Sequence, residues 1–116
     1  MASWGTFESE IFAVHEDGVL RNRYWDGTAW HPWEPMGDGF AGAVAASARA
    51  ADRIDVMAVD TRGRVRHRWW DGTRWVEWRD LAGAPDARDV ACSWIGDELR
   101  VFVTARDGSV WYTATR

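Results

Sequence analysis

Trp25-Asp26-Gly27-Thr28-Ala29-Trp30-His31-Pro32-Trp33 returns as Trp70-Asp71-Gly72-Thr73-Arg74-Trp75-Val76-Glu77-Trp78, with six identities in nine at an offset of 45 residues. Working outward, the same offset holds upstream and reaches a third copy. Ile11-Phe12-Ala13-Val14, Val56-Met57-Ala58-Val59 and Val101-Phe102-Val103-Thr104 fall in register, as do Gly18, Gly63 and Gly108. Ser3-Trp4, Ser47 and Ser93-Trp94 mark one more equivalent point, with one residue of slippage in the second copy. A unit of about 40 to 50 residues repeated in this way is the mark of a propeller or a solenoid.

Inside a unit the apolar pattern has period two, and no stretch has the 3.6 period of a helix, which excludes a helical solenoid. Four strands are expected per unit. Val44 to Ser47 and Val90 to Trp94 read as the first, Ile54 to Val59 and Leu99 to Thr104 as the second, and Arg64 to Trp70 and Ser109 to Thr115 as the third. Trp30 to Trp33 and Arg74 to Trp78 read as the fourth. Asp17-Gly18, Arg62-Gly63 and Asp107-Gly108 supply tight turns between strands two and three, and Asp26-Gly27 and Asp71-Gly72 between three and four. The segments Met36 to Ala43 and Leu81 to Asp89 are expected to carry the chain from one outer strand to the next inner one. The predicted fold is therefore all-β, built of four-stranded antiparallel propeller blades. It divides into a unit at about 1–40, a second at about 41–86 and a partial third at about 87–116.

At 45 residues per unit, the 116 residues hold about two and a half blades, whereas a ring needs about four to eight. Closure is expected from other copies of the chain, a homodimer with six blades being preferred to a trimer, unless the sequence is a fragment of a longer one. Composition agrees with one packed domain, since 47% of residues are apolar. No apolar run approaches the roughly 18 residues of a membrane span, and Met1-Ala2-Ser3-Trp4 does not open a signal peptide, so no membrane insertion is expected and the location stays open. A net charge of -4 argues against a nucleic-acid partner. Cys92 is the single cysteine, His15 and His31 lack partners at ligand spacing, and the carboxylates form no calcium loop, so neither a disulfide, a metal nor a cofactor is expected.

Arg68-Trp69-Trp70-Asp71-Gly72-Thr73-Arg74-Trp75-Val76-Glu77-Trp78, followed by Leu81-Ala82-Gly83, Val90-Ala91-Cys92-Ser93-Trp94, Leu99-Arg100-Val101-Phe102-Val103 and Asp107-Gly108-Ser109-Val110-Trp111, resembles the blades of bacterial β-propeller lectins of the Photorhabdus type. Ser3-Trp4-Gly5-Thr6 and Arg23-Tyr24-Trp25-Asp26-Gly27 more weakly resemble the Ralstonia-type fucose-binding propeller lectins. The resemblance implies sugar binding in shallow pockets between blades, without catalysis. In the fucose-binding type it implies an arginine on the second strand, a glutamate on the third and two tryptophans. Carried over, the tryptophans are Trp25, Trp30, Trp70 and Trp75. The arginine position falls on Ile11, Val56 and Val101, and the glutamate position on Asn22, His67 and Tyr112. This departure favours a more apolar pocket, for fucose or an O-methylated sugar.

Ten tryptophans against six phenylalanines and tyrosines fit that reading, because a sugar needs an aromatic platform for its C–H face and a few polar groups for its hydroxyls. The candidate carbohydrate-binding residues are Trp25, Trp30, Trp70, Trp75, Asn22, His67 and Glu77. Trp4, Trp94 and Trp111 are expected to pack between blades. Arg66, Arg68 and Arg100 are expected on an outer face or paired with carboxylates. No pair of carboxylates is arranged for glycoside hydrolysis, so no catalytic residue is named. A protein-interaction propeller is the alternative function, and a glycosidase fragment a weaker one.

Overall fold

The computed structural model describes residues 2–3, 9–50 and 53–115. Trp4, expected to pack beside an inner strand, lies outside them, as does most of Ser3-Trp4-Gly5-Thr6. The described residues form three antiparallel sheets and no helix. The first sheet runs β1 (Ala2–Ser3), β2 (Ser9–Val14), β3 (Leu20–Trp25) and β4 (Glu34–Gly37), each strand beside the next. The second repeats this order with β5 (Phe40–Ala50), β6 (Arg53–Asp60), β7 (Val65–Trp70) and β8 (Arg79–Asp80). The third contains β9 (Ala87–Ile95), β10 (Glu98–Ala105) and β11 (Val110–Thr115).

The repeat reappears in the strand registers. Phe12 pairs with Asn22, Met57 with His67 and Phe102 with Tyr112, each 45 residues from the last. The sheets stack face to face. Phe12, Leu20, Met36, Phe40, Ile54, Val56 and Ala58 form the apolar layer between the first two, and Met57, Val59, Val65, Val90, Leu99, Val101 and Val103 the layer between the second and third. Seven of the eight residues of β6 are buried because both its faces are covered. In β10 alternate residues are buried instead, and Phe102 is 46% exposed where its counterparts Phe12 and Met57 are buried. Val110 (67%) and Tyr112 (50%) continue that exposed face, although Leu20 and Val65, at the position of Val110, are buried.

Turn chemistry shapes the hairpins. Gly18, Gly63 and Gly108 close the turns between second and third strands with φ of 78°, 85° and 90°, open to glycine at little cost. At Gly63 a Cβ would also meet the Arg106 guanidinium at 2.5 Å. The tips of the first two turns grip the next sheet. Phe40 N–H donates to Gly18 O (3.1 Å) and Ala87 N–H to Gly63 O (2.7 Å); within the second and third sheets, Thr61 N–H donates to Gly39 O (2.8 Å) and Arg106 N–H to Asp86 O (3.1 Å).

Two expectations need correction. The fourth strands are not Trp30 to Trp33 and Arg74 to Trp78 but Glu34–Gly37 and Arg79–Asp80. The Asp71 carboxylate accepts from Thr73 N–H, Thr73 Oγ1 and Arg74 N–H, and Val76 N–H donates to Trp69 O. This compact turn leaves single bridges, Trp25 to Trp30 and Trp70 to Trp75, before the ladder resumes. The link expected over Met36 to Ala43 is likewise mostly strand, since β4 ends at Gly37 and β5 starts at Phe40.

Candidate functional site

The period-two alternation of β6 and β7 turns Arg53, Asp55, His67 and Trp69 toward the third sheet, and there they meet. Asp55, fully buried, accepts from Arg53 Nε at 2.7 Å and Trp94 Nε1 at 3.0 Å through one oxygen. The other accepts from Arg53 Nη2 at 3.1 Å and pairs with His67 Nε2 at 2.6 Å. Burial alone raises the Asp55 pKa, but the hydrogen bonds from His67 and Arg53 outweigh it and hold the carboxyl below its ordinary range. The Arg53 guanidinium lies 5.1 Å from the Trp69 ring centre and 5.4 Å from that of Trp94. Arg79, on β8, lies 5.1 Å from Trp69. Above this cluster opens a cleft of about 490 Å³ between the second and third sheets, with Leu81, Ala82, Thr113 and Ala114 closing its sides.

The corresponding groove between the first and second sheets is built differently. Glu10 holds the place of Asp55, Asn22 that of His67 and Ala48 that of Trp94, because Ile54 pairs with Ala48 as Leu99 pairs with Trp94. Asn22 Nδ2 donates to Glu10 Oε1 at 3.2 Å, and Glu10 Oε2 is buried without a partner among the described residues. Burial pushes the Glu10 pKa up to about 7, the Asn22 bond opposing it. Arg68 fills this groove from the second sheet. It donates to Val76 O (2.8 Å) and Met36 O (2.7 Å) and stands between Trp75 and Trp78, each 5.9 Å away; Trp78 Nε1 also donates to Met36 O (2.8 Å). Thr113 stands where Arg68 does, which leaves the second groove open. Arg68 thus satisfies two carbonyls rather than an acid. Arg66 and Arg100 do reach acids, Asp80 and Glu98.

The candidate residues fall into separate places. Trp70 and Trp75 are half-buried against the first apolar layer, with Phe12 edge-on to Trp75 at 6.0 Å. Trp25 and Trp30, 5.7 Å apart, lie on the opposite face of the first sheet, where Arg23 sits between Trp30 (40% exposed) and Trp33 (37%) at 5.3 and 5.4 Å. Asn22 and His67 each occupy the floor of one groove, and Glu77 is exposed on the turn before β8. His67 is therefore brought together with Trp69 rather than with Trp70 or Trp75. Trp94 and Trp111 pack against the second apolar layer.

No family model matches the chain, and no curated protein matches it. Solved structures do match. A fucose lectin from Kordia zhangzhouensis in complex with methyl-fucoside has a TM-score of 0.73 at 20% identity, over 98% of this chain and 90% of that one. The SapL1 lectin in complex with alpha methyl fucoside has 0.72 at 18%, over 99% of this chain and 44% of that one. The Aleuria aurantia lectin, described as having a six-bladed β-propeller fold, has 0.69 at 19%, over 95% of this chain and 38% of that one. The fold is that of β-propeller lectins. Against the SapL1 and Aleuria lectins the chain spans less than half the length.

Arg53, Asp55, Trp69 and Arg79 are not among the residues the tryptophan motif points to, and Trp94, which packs as expected, also donates to Asp55. The resemblance puts the second-strand polar position at Ile11, Val56 and Val101. Val56 and Val101 are fully buried on the other face of their strands, and the side chains that share a face with Asn22, His67 and Tyr112 are Glu10, Asp55 and Arg100. The signal was present: three charged residues, 45 apart, each inside an apolar strand.

Proposed function

We propose that this chain is a carbohydrate-binding lectin that takes a monosaccharide such as fucose or an O-methylated sugar in grooves between neighbouring blades, and that it does no catalysis. The observation that carries the reading is the second groove. A fully buried Asp55, which also accepts from Trp94, anchors Arg53 and His67 at an open cleft bordered by the Trp69 indole, the mixture of fixed polar groups and aromatic surface that a pyranose needs. The likeness to solved fucose lectins supports it. Among the candidate residues, His67 serves the second groove, Asn22 and Trp70 and Trp75 border the first, and Trp25 and Trp30 offer a platform on the outer face of the first sheet, with Glu77 at the rim.

The blades are of the Photorhabdus type in this reading, and copies of the chain close the ring. The exposed face of Phe102, Val110 and Tyr112 supports closure, because Phe12 and Met57, at the position of Phe102, and Leu20 and Val65, at that of Val110, are buried. Two chains supply six sheets, and multivalency then raises the avidity of individually weak sites.

Calorimetric titration with methyl α-L-fucoside and its O-methylated derivatives tests the reading. Binding with a Kd of roughly 10 µM to 1 mM is expected, as for a shallow pocket with few anchors, together with a loss of affinity in His67→Ala and a fall in the number of sites in Trp30→Ala. Failure of the folded protein to bind any monosaccharide, free or on a glycan array, would overturn it.

A further inference from the structure

The two grooves are related by the repeat, yet their charged residues differ. The second carries Asp55, His67, Trp69 and Arg79; 45 residues earlier the first carries Glu10, Asn22, Tyr24 and Glu34, and its one arginine, Arg68, is committed to the Val76 and Met36 carbonyls. In the second groove two acids are already matched. Asp55 is held by Arg53 and His67, and Asp80 lies 2.8 Å from Arg66 Nε, an ion pair without hydrogen-bond alignment. Arg79 has no carboxylate within 4.0 Å among the described residues, although it lines the cleft. Its guanidinium rests beside Trp69, which is also approached by Arg53 and, at 5.0 Å, by the His67 ring. This indole therefore presents a cationic rim to the cleft rather than a bare apolar face. Arg53 commits Nε and Nη2 to Asp55, which leaves Nη1 without a partner among the described residues.

We propose that the groove between the second and third sheets binds a sugar bearing a carboxylate, a uronic or a sialic acid, with Arg79 as the partner of that carboxylate. The proposal rests on the carbohydrate-binding reading above and narrows the ligand class for this one groove. A planar guanidinium matches a carboxylate through two parallel N–H donors, and its place beside an indole limits the freedom lost on binding. Glu34 at the equivalent position of the first groove repels the same group, so the acid distinguishes the two grooves.

Calorimetry with three matched pairs tests the proposal: methyl glucuronide and methyl glucoside, methyl galacturonide and methyl galactoside, and a methyl sialoside and its methyl ester. In at least one pair the acid should bind about five- to tenfold tighter than its neutral partner, and the pair concerned tells a uronic from a sialic acid. The preference should shrink as salt rises from about 0.05 M to about 0.5 M. Arg79→Gln should abolish it and Arg79→Glu, which installs the first groove's residue, should reverse it. Arg79 is exposed, so neither change disturbs the core. Equal or better binding of the neutral member in every pair, or an acid preference that survives in Arg79→Gln, overturns the proposal. If methyl fucoside binds and no acid does, the proposal falls while the lectin reading stands; if no sugar binds, both fall.

Discussion

If copies of the chain close a ring, as proposed, replacing Phe102 by aspartate should leave single chains. At 46% exposure, a side chain of roughly 200 Å² leaves about 90 Å² in water, worth about 2 kcal/mol when a neighbour covers it. A twofold ring has two such junctions, so the substitution removes about 4 kcal/mol from the dimer, near a thousandfold in Kd, before the cost of desolvating the new carboxylate is added. The single chain is left intact, since Phe102 lies outside both apolar layers. Sedimentation velocity is the assay. The unmodified protein should sediment near twice 13.2 kDa at tens of micromolar and the variant at the single-chain mass, with an unchanged circular-dichroism spectrum. A 13.2 kDa species for the unmodified protein, or a variant that stays associated, refutes the reasoning. A mass near three times that value would keep closure by copies and refute the six-blade count.

Glu10→Gln should stabilise the protein at pH 8 and not at pH 4.5. Folding raises the pKa of Glu10 from 4.5 to about 7, so the folded state holds the extra proton, and stability falls as pH rises from 4.5 to 7, by up to about 3 kcal/mol. Urea midpoints at the two pH values check this, and equal shifts at both would contradict it. Asp55→Asn should cost about 3 kcal/mol at pH 7, because the Arg53 and His67 donors lose their buried charge. Since folding lowers the Asp55 pKa, the wild-type advantage is present above the ordinary carboxylate range and disappears as pH falls through and below it. An advantage unchanged at pH 2.5 would refute the assignment.

The architecture was readable from the chain because the repeat is written twice over, in the tryptophan motif and in the apolar alternation, and each copy ends in turn residues whose conformational needs are local. Where the reading missed, the deciding contact was not local. Asp71 was recognisable as a turn residue, but the bond from Val76 N–H to Trp69 O, which delays the fourth strand to Arg79, depends on how that turn folds back. Arg68 looked like a surface cation, yet it ends at Met36 O, 32 residues away in the neighbouring sheet. Asp55 and Trp94 are 39 residues apart, and nothing in either strand says that they touch until the second and third sheets are stacked. The aromatic motif drew attention to the turns, whereas the buried polar cluster that borders the cleft lies at the start of β6, in the alternation Arg53-Ile54-Asp55-Val56.

The grip of the first two hairpin tips on the following sheet also bears on how the molecule comes apart. Gly18 O holds Phe40 N–H and Gly63 O holds Ala87 N–H, so the turn of one blade is a latch on the entry of the next. A pulling force on the two ends loads these latches in series, and a latch gives way only with the strand that follows it. The chain should therefore yield under tension in discrete steps, one blade at a time, each extending it by about the length of a repeat.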